Sequence, residues 1–173
     1  MNGEDQPDYD VIIAGGGMIG ASLALALKPL NLKIAVVEAV ARTAELQPSF
    51  DDRSTALSRS TQRMFEAMGL WPGIESASTP IKHIHISDKG RFGFSHIDAE
   101  EQGVEALGYV VINRVLGGLL QASLDMLPRL DLLCPASIIA VNIDEARAEV
   151  TVDEGGDQCE LSCRLLVAAD GAN

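Results

Sequence analysis

With 173 residues, 47% of them apolar, the chain has length for one domain or a little more and enough apolar material for a sizeable core. A formal net charge of -12 argues against nucleic acid as a partner, because phosphate binding needs clustered Lys and Arg. The same charge gives no bulk attraction to anionic lipid heads, although hydrophobic contact stays open.

In chain order, Tyr9 to Ala14 reads as a short buried strand and Ile19 to Leu27 as a helix stopped near Pro29. Lys33 to Glu38 is a second buried strand, so the opening is a βαβ unit with parallel strands and a right-handed crossover. Arg42 to Asp51 is a polar connection. Leu57, Met64, Phe65 and Met68 fall on a helical stripe, which predicts a helix over Ser54 to Gly69. Ile81 to Ser87 and Phe92 to Ile97 are predicted strands turning at DKGR, and the acidic run DAEEQGVEALG is a solvated loop. Val115 to Leu127 is a helix ended by Pro128, followed by a strand region at Leu132 to Val141. Glu149 to Val152 and Gln158 to Ser162 form a hairpin at DEGGD, and Arg164 to Ala169 is one more buried strand. The chain stops at DGAN, straight after that strand, which is the expected look of a truncated product of something longer.

Gly15, Gly17 and Gly20 satisfy G-x-G-x-x-G with a strand before and a helix after. Gly15 would allow the sharp exit from the strand, Gly17 would let a pyrophosphate reach the backbone, and Gly20 would bring helix and strand close. The helix N-terminus adds unpaired N–H groups and a positive dipole end. Glu38 ends the second strand, where a carboxylate can accept both hydroxyls of an adenosine ribose and repel a 2′-phosphate. FAD or NAD is therefore favoured over NADP; the motif alone does not separate the first two. The fold class is α/β: a Rossmann-like βαβ with a parallel sheet plus antiparallel hairpin additions.

The remaining reactive side chains carry little. Cys134, Cys159 and Cys163 are odd in number and lack CxxC spacing, so small-apolar packing is expected. His83 and His85 share one face of their strand, but the sequence shows no carboxylate or third ligand in register, so no metal is assigned. His96 carries no signal. No apolar run reaches the ~18 residues of a membrane span. The acidic N-terminus lacks a basic n-region, which makes a reducing cytoplasm the simplest compartment.

The stretch FDDRSTALSRSTQRMFEAMGLW, Phe50 to Trp71, resembles the D-x-R-x-x-A-L segment of the flavin-dependent aromatic hydroxylases of ubiquinone biosynthesis. These belong to the larger class typified by para-hydroxybenzoate hydroxylase. Ser87 to Leu120 is similar to the 2-octaprenyl-6-methoxyphenol hydroxylase branch, and LLVAADGAN resembles the start of the family's second fingerprint. The resemblance implies the N-terminal part of an FAD-binding domain over residues 1–173, with part of the substrate-domain sheet at about 72–112.

It also implies a monooxygenase in which NAD(P)H reduces FAD and the reduced flavin uses dioxygen to hydroxylate a lipophilic phenol, without a metal. On this reading Gly15, Gly17 and Gly20 meet the FAD pyrophosphate and Glu38 the adenosine ribose. Arg53 lies over the pyrophosphate and ribitol side, and Arg114 touches the ribose-phosphate region. Asp170 and Gly171 contact FAD and nicotinamide nucleotide. The bland alternatives are exposed first-turn arginines for Arg53 and Arg114, and a simple turn-former for Asp170. No catalytic residue is assigned.

The family pattern continues past Asn173 with a third fingerprint, a Gly-Asp pair. The chain alone is therefore expected to be inactive, to bind FAD weakly or not at all, and to self-associate through the face of RLLVAA. A prenylated substrate would place the full enzyme at the periphery of the inner membrane, beside other ubiquinone-biosynthesis proteins. Two rivals stay open: another FAD-dependent oxidoreductase, and a non-catalytic dinucleotide-binding module.

Overall fold

The computed structural model describes residues 6–42, 51–90 and 92–171. The strands are β1 (Tyr9–Ala14), β2 (Ile34–Val37), β3 (Ser54–Ser58), β4 (Ser78–Ile81), β5 (His83–Ser87), β6 (Phe94–Asp98), β7 (Gly108–Ile112), β8 (Leu130–Leu133), β9 (Ser137–Ile143), β10 (Ala148–Glu154) and β11 (Asp157–Ala168). The helices are α1 (Met18–Ala26), α2 (Arg59–Ala67), α3 (Trp71–Glu75) and α4 (Asn113–Leu124). The chain divides into two compact units, Asp51–Leu119 forming one and the segments on either side of it the other.

The first unit is built on a six-stranded sheet in the order β8-β2-β1-β11-β10-β9. β8, β2, β1 and β11 run parallel, and β11, β10 and β9 are antiparallel, which is the expected α/β mixture. The apolar runs of β1 and β2 suit a parallel sheet covered on both faces. Ile12, Ile13, Ala35 and Val36 are fully buried, and burial of each large aliphatic contributes roughly 1.5–3 kcal/mol. The hairpin expected at DEGGD turns through Gly155 and Gly156, both at positive φ, with Asp153 Oδ1 accepting the Gly156 N–H at 2.7 Å. The two strands expected on either side of Cys163 are one strand, β11. It pairs with β10 up to Cys163 and with β1 from there on, so this residue is paired on both sides.

That position separates two cysteines which the sequence treats alike. Cys163 is buried, and burial pushes its thiol above the ordinary cysteine range, whereas Cys159 is exposed. Alkylation of the native chain with iodoacetamide should label Cys159 and spare Cys163 in a peptide map. Equal labelling would mean that the switch of partners along β11 is wrong.

In the second unit, β3, β7 and β4 form an antiparallel sheet with β7 in the middle, while β5 and β6 form a separate two-stranded sheet. Trp71 and Tyr109 meet edge to face, 4.7 Å between centroids, beside buried Leu57, Phe65 and Ile74. The helix expected over Ser54 to Gly69 is corrected here. Residues 54–58 are strand, pairing with β7, and the helix begins only at Arg59, with Ser58 Oγ accepting the Thr61 N–H at 3.1 Å. Pairing with an apolar central strand outweighs a helical stripe that was imperfect, since Met64 is largely exposed. The single strand region expected over Leu132 to Val141 is two strands, β8 and β9, broken around Pro135. Most of the expected polar connection Arg42 to Asp51 lies outside the described residues.

Candidate nucleotide site

The glycine run leaves β1 through Gly15, whose N–H donates to Val37 O at 2.7 Å and whose φ is +102°. A β-carbon here would lie 2.4 Å from Ala169 O, so the backbone after β11 packs directly on the first glycine. Ala169 N–H in turn donates to Ala14 O at 2.7 Å. This places Asp170, with Gly171 after it, by the start of the glycine turn. Gly17 is the N-cap residue of α1, which has neither a side-chain cap nor an acidic residue in its first turn. Its leading N–H groups are therefore left for water or a ligand. Gly20 acts differently from its neighbours. It is buried, and a β-carbon on it would come within 1.9 Å of Gly15 O, so its part is close helix packing.

Glu38 follows β2 and is held at both ends. Oε2 accepts the Gly16 N–H at 2.7 Å and Oε1 accepts the Val40 N–H at 2.8 Å. Its main chain is clamped too, by Glu38 N–H to Leu133 O at 2.9 Å and Ala136 N–H to Glu38 O at 2.8 Å. Each carboxylate oxygen retains a further lone pair for a ligand hydroxyl.

These elements enclose a cleft of about 420 Å³ within the first unit. Gly15, Gly17, Met18 and Ile19 form one side, Glu38, Ala39 and Val40 another, and Asp170 and Gly171 close an end. Ala136, Ser137 and Ile138, which sequence reasoning missed, also line it, Ala136 beside Glu38. Nothing local marks them; they arrive because β8 lies parallel to β2. Of the expected residues, Gly15, Gly17, Glu38, Asp170 and Gly171 line this cleft and Gly20 supports it from behind.

Arg53 and Arg114 belong to the second unit, where both are tied to the same acidic pair, Asp51 and Asp52. Arg53 N–H donates to Asp51 Oδ1 at 3.0 Å and its guanidinium pairs with Asp51 Oδ2. Arg114 Nε pairs with Asp52 Oδ1 at 2.9 Å, and its N–H donates to Asp51 O at 3.0 Å. Burial pulls the Asp51 carboxyl upward, but hydrogen bonds from Arg53 and Asn113 outweigh it and hold the group below its ordinary range. Asn113 is the hub that sequence reasoning passed over. Its side chain donates to Asp51 Oδ1 at 3.2 Å and accepts from Thr55 Oγ1 at 2.6 Å, with only 6% of the residue exposed. Its one signal was an amide directly after an apolar run.

A βαβ unit whose glycine turn, uncapped helix start and terminal carboxylate open on one cleft defines a dinucleotide-binding domain. The chain belongs to the FAD binding domain family, whose model matches residues 8–173. It is 35% identical over 163 residues to the ubiquinone hydroxylase UbiL of Rhodospirillum rubrum, a match covering 94% of this chain and 37% of that protein. It is 29% identical over 170 residues to the 3-demethoxyubiquinol 3-hydroxylase of Escherichia coli, covering 95% and 41%. The p-nitrophenol 4-monooxygenase PnpA of Pseudomonas putida shares the fold with a TM-score of 0.78 at 17% identity, over 94% of this chain and 41% of that one. The chain thus spans about two-fifths of the length of these relatives.

Proposed function

We propose that this chain forms the adenosine-diphosphate half of the FAD site in an NAD(P)H-dependent monooxygenase of ubiquinone biosynthesis. The observation that carries the reading is the single cleft shared by Gly15, Gly17, Glu38, Asp170 and Gly171. Gly17 and the start of α1 offer N–H donors to the diphosphate, and Glu38 offers lone pairs to the ribose hydroxyls. Asp170 and Gly171, packed on Gly15, would border the diphosphate from the other side. FAD supplies the oxygen-activating redox chemistry when bound, and the residues named here bind and orient it.

The names of the relatives support a ubiquinone-precursor ring as the substrate, with dioxygen as co-substrate. A prenylated ring of that kind would bring the whole enzyme to the membrane surface and its partner proteins there. Calorimetric titration tests the binding half of the reading. ADP and FAD should compete for one site, and adenosine 2′,5′-bisphosphate should bind more weakly because Glu38 repels the 2′-phosphate. Failure of ADP to bind, or binding of adenosine 2′,5′-bisphosphate as tight as that of ADP, would overturn it.

A further inference from the structure

All three histidines of the chain lie on one hairpin, β5–β6. The register sets His85 opposite His96, His83 opposite Asp98 and Ser87 opposite Phe94. Directly opposed residues share a face, so three imidazoles, a carboxylate and an aromatic ring occupy one side of this ribbon. This corrects the expectation that no carboxylate or third ligand stands in register with His83 and His85. His85 Nδ1 and His96 Nε2 are in direct hydrogen-bond contact, with ring centroids 4.6 Å apart. On the next rung His83 Nδ1 pairs with Asp98 Oδ2, while Asp98 Oδ1 is occupied by the Glu100 N–H at 2.8 Å. Phe94 stacks on His85 at 5.8 Å and flanks His96 at 5.0 Å.

We propose that the His85–His96 pair is a two-point binding site for a borderline divalent transition-metal ion such as Cu²⁺, Ni²⁺ or Zn²⁺. Imidazole nitrogen suits these ions and disfavours Mg²⁺ and Ca²⁺. Two nitrogens at about 2.1 Å from one ion must stand about 3 Å apart, which a small torsion of two exposed rings provides. The present contact uses one N–H and one lone pair. The ion takes a lone pair from each neutral ring; the ring that now donates moves its proton to its other nitrogen by exchange with water, so no net proton is released, and protonation of either imidazole competes with the ion. Among the described residues no three His, Cys, Asp or Glu side chains gather round one point. The site is therefore open, with water in its other positions. A two-stranded ribbon is marginal by itself in water, so an ion joining its strands would also stabilise it.

The test is calorimetric titration of the chain with Cu²⁺, Ni²⁺ and Zn²⁺ in a non-coordinating buffer, with Mg²⁺ as control. One-site binding is expected, tightest for Cu²⁺ and absent for Mg²⁺. His85→Asn and His96→Asn should each weaken it at least about tenfold, as loss of a direct ligand demands. His83→Asn should change it less, and circular dichroism should show all three variants folded. Silence of the wild-type chain toward Cu²⁺ and Ni²⁺, or undiminished binding by the folded double variant His85→Asn/His96→Asn, would overturn the proposal.

Discussion

Gly20→Ala should lower the melting temperature of the chain by about 2–12 °C, whereas Gly118→Ala should leave it unchanged or raised. The new methyl at position 20 would sit 1.9 Å from Gly15 O, a main-chain atom that cannot rotate away. Gly15 is itself pinned, by its bond to Val37 and by Ala169 packed over it. Relief must therefore come from moving α1 off β1, with an overpacking cost of about 1–3 kcal/mol. Each kcal/mol shifts the midpoint of a chain of this length by about 2–4 °C. Position 118 lies within α4, and a methyl added there would have nothing within 4 Å, so only the helix preference of alanine acts. Equal midpoints for the two variants, measured by circular dichroism, would show that α1 does not rest on the glycine turn. Nucleotide affinity should fall with Gly20→Ala, because the helix N-terminus moves with the helix.

Glu38→Gln should weaken binding of ADP by about 10–100-fold and should also lower the melting temperature, because a main-chain hydrogen bond is lost with the charge. The carboxylate accepts two main-chain N–H groups, from Gly16 and Val40, and these fix both sides of the cleft. Glutamine has one acceptor oxygen; its amide nitrogen would face whichever N–H the oxygen leaves. A hydrogen bond to a charged group is worth about 1.5–3 kcal/mol, and about 1.4 kcal/mol is a factor of ten. Glu38→Asp keeps the charge but loses a methylene, so it cannot span the two donors and should recover only part of the affinity. An unaltered dissociation constant for Glu38→Gln would remove this residue from the site. A fall for ADP equal to that for FAD would locate the loss at the adenosine end.

The nucleotide cleft was legible because its main parts are local. A strand, a glycine turn and a helix lie within Tyr9 to Leu27, and the carboxylate that closes the next strand follows soon after. Each of these features follows from short-range rules: apolar runs, the steric freedom of glycine at Gly15, and the unpaired donors of a helix start. The Asp-Gly pair was recognisable as a motif, although its seat on Gly15 was not.

What tertiary structure decided is everything that depends on which strand pairs with which. Ser54 to Ser58 became strand because β7 was available to it, and β7 is central because β3 and β4 flank it. The lining contributed by Ala136 to Ile138, the gathering of Arg53 and Arg114 round Asp51 and Asn113, and the facing of His85 by His96 all follow from pairing as well. A shift of one residue in register would turn such side chains to the opposite face. Between strands far apart in the chain, register is set by contacts distant in sequence; in the β5–β6 and β10–β11 hairpins the turn marks the pairing but not which side chains meet across it.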